Sequence, residues 1–243
     1  MKQLLQQVEC AQRAWTHEEV WEAEPVLRCS LSLPHLPAPR RRSIRRMDRY
    51  YQALADHLKR FWLRQTVPQA VRAAMLARQS SRPVSLWEEQ VSFSITRNSS
   101  GVLSLFWDRR SSQGGPALTE RHGDTWLLTD GCPLLLRDIP LSVPRRELPE
   151  EAVRQAARRE REGISCYAPD YPELLRLQFR PDRFYLTEDQ LCFFYPMRSV
   201  ASRAEGIPVF SVPLSAAAED ALSPADGKRM PKFQKGACAA ARE

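Results

Sequence analysis

Three side chains near the middle of the chain, Asp108, His122 and Asp124, are candidates for acid–base chemistry. His122 and Asp124 are close in sequence, and the loop between two predicted strands could bring Asp108 near both. A general base needs a partner within hydrogen-bond reach. The simpler interpretation is that Asp124 caps a turn and His122 is a solvated loop residue. We therefore carry the three residues forward as catalytic candidates without assigning a reaction.

Patterns typical of other catalytic sites are missing from the sequence. No serine lies in a GxSxG motif, and Gly114–Gly115 is not followed by the lysine of a phosphate-binding loop. The cysteines lie at 10, 29, 132, 166, 192 and 238, without the close pairs that zinc sites use. We therefore expect no metal and no cofactor, with Cys29 and Cys192 as buried free thiols.

Aromatic residues are the best candidates for recognition. Trp107, Trp126, Phe194 and Tyr195 fall near the ends or on the outer face of predicted strands, where Trp and Tyr could form a binding surface. The alternative is that the helix predicted at 44–62 covers this face. A different set is assigned to the core because its members alternate with polar residues: Phe93, Phe193 and Phe210.

The composition is that of a globular protein. Its excess of basic residues consists almost entirely of arginine. The 243 residues carry a net charge of +7, with a hydrophobic fraction of 43%, and lysine occurs only at 2, 59, 228, 232 and 235. No basic stretch interleaves with aromatics as in nucleic-acid-binding motifs, so we expect no nucleic-acid partner. The start lacks the apolar core of a secretory signal, and no window is apolar enough to span a membrane. We expect a soluble, cytoplasmic protein with no membrane span.

The first third of the chain is predicted to contain a strand and a long helix. Residues 1–22 have a loosely helical pattern, and 27–33 alternate as a half-buried strand that ends at Pro34. The helix has one apolar stripe, formed by Ile44, Met47, Tyr51, Leu54, Leu58 and Phe61. Its arginines lie on the opposite side, which favours a solvated face over a phosphate-binding patch. A second helical segment follows Pro68.

The rest of the chain alternates between strands and helices. The period changes to two at residue 86, and the turn at 98–101 predicts a hairpin, followed by another strand at 121–131. Helices are predicted at 148–162 and 171–179, a second hairpin at 183–195 and a last strand at 207–214. This order predicts an α+β fold with a mainly antiparallel sheet and helices packed on one face.

Three stretches together carry a resemblance to a known family. The C-terminal "FYLTEDQLCFFYPMRSVASRAEGIPVFSVPLS", the hairpin "GVLSLFWDRRSSQGGPALTERHGDTW" and the helix "RRMDRYYQALADHLKRF" resemble the RsiV-type C-terminal domain. That domain of unknown function is shared by anti-sigma-V factors and some polysaccharide deacetylases. The resemblance implies the fold over roughly residues 25–215, and a protein- or glycan-binding surface.

The sequence departs from the family pattern in the loop that carries the two glycines. The family's "GGAHG" is here "GGPAL", so Pro116 replaces a small residue and the histidine is absent. Gly114 and Gly115 themselves match, and both are kept as binding candidates. No sigma-binding segment or membrane anchor is recognised, so we expect a stand-alone soluble homologue of clostridial type without an anti-sigma role.

The resulting hypothesis is a non-enzymatic binding or sensing module whose ligand is a protein or a cell-wall glycan. We divide the chain into a partly helical extension at 1–24, an α+β domain at 25–214 and a disordered tail at 215–243. One alternative is a hydrolase-like enzyme that acts on a cell-wall or spore polymer. Another is a structural component of the spore or envelope. The sequence leaves the oligomeric state open.

Overall fold

Five strands form the larger of two sheets in the structure, a computed structural model that describes residues 7–37, 41–165 and 167–215. The strands are β1 (Ala11–Trp21), β2 (Glu24–His35), β3 (Trp87–Ser99), β4 (Val102–Gln113) and β5 (Leu118–Leu127), in that spatial order. All neighbours are antiparallel except β2 and β3. That parallel pair needs a long crossover, which α1 (Arg42–Phe61), a π-helical turn (Trp62–Thr66) and α2 (Val67–Gln79) provide. The predicted tail lies outside the described residues from 216 onward.

The helical interpretation of residues 1–22 is wrong for Ala11–Trp21, which form β1. Alternate side chains of this strand are exposed, and the strand pairs with β2 through a tight turn in which Glu22 and Ala23 have positive φ. β1 lies at the edge of the sheet. Its apolar positions are therefore sparse, and pairing with β2 rather than a strong strand pattern determines its conformation.

The predicted hairpin at 98–101 is confirmed, and one irregularity in it was not predicted. Ser100 and Gly101 both have positive φ, as a tight hairpin turn requires. The register shifts between Ile95 and Arg97, so Ile95 becomes exposed and Arg97 becomes buried. Beyond this bulge the two-residue alternation reverses.

α1 covers one face of the larger sheet, as its apolar stripe predicts. Its buried residues are Ile44, Met47, Tyr51, Ala55 and Leu58. They pack in one cluster with strand residues such as Leu27, Cys29, Leu103 and Leu105. The arginines of the other stripe are exposed, as predicted.

The smaller sheet confirms the aromatic hairpin near the C-terminus. It consists of β6 (Phe184–Leu186), β7 (Gln190–Phe194) and β8 (Val209–Pro213), all antiparallel. α3 (Leu148–Arg161) and α4 (Tyr171–Leu177) contribute Leu148, Ala152, Ala156 and Leu175 to the same core as Phe193 and Phe210. Phe193 and Phe210 are fully buried as predicted, whereas Phe93 is only partly buried. The fold is α+β, and each sheet carries its helices on one face.

The two sheets meet where β6 passes β4 and β5. The Leu186 N–H donates to Ser104 Oγ at 2.8 Å, and Thr96 Oγ1 donates to the Leu186 carbonyl at 2.6 Å. A methyl group added at Gly123 would overlap the backbone carbonyl of Phe184. Gly123 therefore allows β5 and β6 to approach each other closely.

The Gly123→Ala substitution is expected to lower the free energy of unfolding by about 2 kcal/mol, because backbone atoms cannot move aside as a side chain can. Gly115→Ala is the matched control, since a methyl group there meets open space. Urea unfolding of both variants measures the difference. Equal stability of the two variants would contradict the close approach of the strands.

Candidate functional site

Asp124 lies on the face of β5 that α1 covers, and it is the most perturbed acid in this region. Tyr51 of α1 donates from its hydroxyl to Asp124 Oδ2 at 3.2 Å, and Trp126 Nε1 donates to the same Tyr51 oxygen at 2.9 Å. Burial raises the pKa of Asp124 to about 6, against the opposing effect of the hydrogen bond from Tyr51. This carboxyl group therefore changes charge near neutral pH.

His122 lies on the same face of β5, two residues before Asp124. Its ring stacks on Trp107 with centroids 4.0 Å apart and an interplanar angle of 11°. Partial burial of the ring lowers the pKa of His122, while nearby acids including Glu120 oppose the shift. Within the described residues, His122 forms no hydrogen bond with either Asp108 or Asp124.

Asp108 lies on the opposite face of the sheet from His122 and Asp124. It is the cross-strand partner of Arg121, which donates to both of its carboxylate oxygens at 2.8 and 2.7 Å. The Arg121 guanidinium also lies 3.8 Å from the centroid of the Phe106 ring. The structure thus brings together two of the three acid–base candidates and engages the third in an ion pair.

The aromatic binding candidates are buried, so they do not form the exposed patch that a binding surface requires. Trp107 and Trp126 are each 6% exposed beneath α1, and Tyr195 is 1% exposed in the core between the smaller sheet and its helices. The Tyr195 hydroxyl donates to the Leu175 carbonyl at 2.8 Å. The rival interpretation, that the helix covers this face, is correct for the two tryptophans.

Gly114 and Gly115 lie in the turn between β4 and β5. Gly114 has a φ of 76° and packs against Ser85, so it suits a tight turn. Neither glycine lines the cavity that contains His122 and Asp124. Their assignment to a binding site gains no support from their position.

A cavity of about 660 Å³, which we call the edge cavity, runs along the outer edge of β5. Its floor is Leu118–Asp124. Its far wall combines Asp182 and Arg183 with Phe194, the last residue of β7, and the three residues that follow it, Tyr195–Met197. Tyr50 of α1, 41% exposed, lies at the top beside Asp124. The volume falls within the range of ligand-binding pockets.

The backbone of β5 presents hydrogen-bonding groups to this cavity. β5 is the last strand of its sheet, and its odd-numbered residues point away from β4. This direction is fixed by three bonds: Thr119 N–H donates to Met197 Sδ at 3.3 Å, Leu134 N–H donates to the Thr125 carbonyl at 2.8 Å, and Leu127 N–H donates to the Cys132 carbonyl at 3.0 Å. The N–H and C=O groups of Arg121 and Gly123 lie between these anchored positions and form no hydrogen bond within the described residues.

Two residues of the edge cavity, Tyr50 and Arg183, were not predicted from the sequence. Tyr50 adjoins the buried stripe of α1, and its ring packs edge-on against Trp126 with centroids 5.2 Å apart. Arg183 precedes β6, and its guanidinium has no hydrogen bond or ion pair within the described residues. No local signal connects these side chains with β5, because each is separated from it by about sixty residues or more of chain.

No group of three or more His, Cys, Asp or Glu in the described part of the chain is placed to hold a metal ion. Cys29 and Cys192 are buried free thiols, as predicted. None of the helices in the described residues is long and apolar enough to cross a bilayer. The cytoplasmic location stays a prediction.

Comparison with known proteins finds a family match in the C-terminal part of the chain and similar folds among solved structures. Residues 148–215 match the family described as protein of unknown function DUF3298. No curated protein matches the chain. The fold is similar to a DUF3298 family member from Bacteroides fragilis, with a TM-score of 0.68 and 10% identity over 90% of this chain and 99% of that one. It is also similar to a DUF3298 family protein from Pseudomonas aeruginosa, with a TM-score of 0.58 and 16% identity over 86% of this chain and 92% of the other.

Proposed function

We propose that this protein is a non-enzymatic binding module whose ligand is an extended polypeptide segment added to the edge of β5. The observation that carries the proposal is the pair of outward-facing residues Arg121 and Gly123. Their backbone N–H and C=O groups face a cavity and have no hydrogen-bond partner in the part of the chain that the structure describes. Unpaired groups at a sheet edge are a template for another strand. Addition of a strand to an exposed edge is a recurring mode of peptide recognition.

The dimensions of the edge cavity suit a short peptide. From Thr119 to Gly123 the strand spans roughly 13 Å at about 3.3 Å per residue. A segment of about four residues would pair with both free positions. Its side chains would alternate between the two faces of the sheet, so that every second one lies towards Tyr50 and His122.

Charge in the cavity favours a peptide with a carboxylate. Arg121 is neutralised by Asp108, whereas the Arg183 guanidinium has no acidic partner within the described residues. An aspartate, a glutamate or a C-terminal carboxylate of the ligand could accept a bidentate pair from Arg183. This contact would add specificity to the sequence-independent backbone bonds.

Arg183→Gln is therefore expected to weaken peptide binding about tenfold, the effect of losing one charge-assisted hydrogen bond. The probe is a linear peptide selected against the full chain from a random twelve-residue display library, titrated by calorimetry. Arg180→Gln is the control, because Arg180 is exposed nearby in sequence and does not line the edge cavity. Equal affinities of the two variants would remove Arg183 from the site.

Backbone pairing is tested with the same peptide methylated at one amide nitrogen at a time. Methylation at alternate positions should weaken binding by about tenfold or more, and methylation at the intervening positions should have little effect. A uniform response along the peptide would contradict strand addition. If only cell-wall glycan fragments bind the chain, the ligand class proposed here is wrong.

The hydrolase-like alternative has one observation in its favour, the raised pKa of Asp124 beside a cavity. Under that hypothesis Asp124→Asn would abolish turnover of a cell-wall polymer. The structural alternative predicts that two copies pair through β5, and size-exclusion chromatography would then show a dimer.

We also propose that the chain is related to the RsiV-type domains, on the strength of the motif residues between 184 and 213. Its clostridial origin stays a prediction.

A further inference from the structure

The exposed arginines of α1 form one wall of a second cavity, which we call the basic cavity. Its volume is about 640 Å³, and Arg42, Arg45, Arg46 and Arg49 line one side while Thr129 and Asp130 line the other. The arginines recur at intervals of three and four residues, so they share a single stripe of the helix. That stripe lies opposite the buried stripe of α1.

The opposite wall of the basic cavity is held firmly against the helix. The loop after β5 is anchored by Leu128 N–H, which donates to the Gly101 carbonyl at 2.8 Å, and by Gly131 N–H, which donates to the Leu127 carbonyl at 2.9 Å. Gly131 has a φ of 68°, and any side chain there would overlap the Ser43 backbone. Helix and loop therefore meet as fixed backbone rather than as two independent surfaces.

Three of the arginines that line the basic cavity, Arg42, Arg45 and Arg49, have no acidic partner within the described residues. The Asp130 carboxylate on the facing wall accepts the Cys132 N–H at 2.8 Å. Arg46 donates to Cys132 Sγ at 3.0 Å. The side chains of Arg42, Arg45 and Arg49 form no hydrogen bond or ion pair within residues 7–37, 41–165 and 167–215.

Elsewhere the chain provides arginines with close carboxylates. Arg28 pairs with Glu18 at 2.8 Å, Arg121 with Asp108 at 2.7 Å and Arg176 with Glu150 at 2.6 Å. The guanidinium groups of the basic cavity repel one another. The first turn of α1 contains no acidic residue, so the partial positive charge of that helix end adds to this repulsion. A bound anion would relieve this repulsion.

We propose that the basic cavity binds a small anion that carries two or more phosphate groups. A guanidinium group presents paired donors that match phosphate oxygens, and several arginines can engage neighbouring phosphates at once. The Ser43 and Thr129 hydroxyls lie in the first turn of α1 and in the facing loop, where they can add uncharged donors. The volume suits a molecule of nucleotide size.

The test is calorimetric titration of the full chain at low ionic strength with sodium triphosphate and, in parallel, with ATP. The double variant Arg45→Gln/Arg49→Gln should weaken binding of the anion by about tenfold or more. The control is Arg60→Gln/Arg64→Gln, which removes the same charge from exposed positions further along the same helical segment. It should change the affinity less than about twofold, since screening limits the effect of distant charges.

Binding of triphosphate and ATP with equal affinity would assign recognition to the phosphate groups alone, and tighter binding of ATP would indicate a nucleotide. Both results support the proposal. Lack of binding of either anion would overturn it, as would an equal loss of affinity in the two double variants. Thermal melting of each variant at the same pH verifies that the fold is retained.

Discussion

The Phe193→Ala substitution is expected to lower the free energy of unfolding by about 3–5 kcal/mol, the range for a fully buried phenylalanine. Phe193 is 2% exposed at the centre of the smaller sheet. It pairs across the sheet with Phe184 on one side and Phe210 on the other. Removal of the Phe193 ring therefore weakens the packing of β7 against both β6 and β8.

The magnitude should lie in the upper part of the range because the surrounding rings cannot close the gap. The Phe193 ring centroid is 5.9 Å from that of Phe179, 6.0 Å from that of Phe210 and 6.4 Å from that of Tyr195. Three rigid rings relax less than aliphatic side chains, so most of the cavity persists. Urea unfolding measures the change. Phe93→Ala is the control: Phe93 is partly buried, and its loss should cost clearly less. A loss below about 1 kcal/mol for Phe193→Ala would contradict the assigned core.

The Asp124→Asn variant is expected to lose a pH dependence of stability that the natural chain shows between about pH 4 and pH 6. The folded chain holds the Asp124 proton up to a pKa of about 6, whereas the ordinary value is 3.8. Between these values the folded state binds more protons than the unfolded state, so stability falls as the pH rises. The contribution is fully present below about pH 4 and is lost as the pH passes 6.

A shift of about two pKa units corresponds to about 2–3 kcal/mol. Asparagine stays uncharged and keeps an oxygen that can accept from Tyr51, so the variant should be more stable than the natural chain at pH 8 by a similar amount. Chemical unfolding of both proteins from pH 4 to pH 8 gives the difference curve. Tyr51→Phe serves as a second check. It removes a hydrogen bond that lowers the Asp124 pKa, so the midpoint of the stability change should move to higher pH. Parallel stability curves for the natural chain and Asp124→Asn would show that this carboxyl group is ordinarily hydrated.

Much of the fold could be predicted from periodicity, because period and burial are directly linked. The alternation around 184–195 and the stripe through Ile44, Met47 and Tyr51 identified a hairpin and a helix whose buried residues agree with the structure. β1 was missed because an edge strand buries few side chains. The reversal at Ile95 and Arg97 was missed because residues 96–99 are all polar, so no apolar side chain reveals the change of face.

The candidate site was much less predictable, because it is assembled from distant segments. Asp124 resembles a turn residue in sequence, yet it lies inside a strand beneath α1, where Tyr51 provides its hydrogen bond. The tryptophans that suggested a surface are covered by that same helix. The edge cavity depends on where β5 ends the sheet and on where the smaller sheet stops beside it, which are properties of tertiary packing.

Amide hydrogen exchange at single residues tests whether the β5 edge is free and accepts a peptide strand. In the free chain, the amides of Arg121 and Gly123 should exchange much faster than those of His122 and Asp124, which point towards β4. Addition of the selected peptide should protect Arg121 and Gly123 and leave the other two unchanged. Slow exchange at Arg121 and Gly123 in the free chain, or no added protection with the peptide bound, would contradict the account.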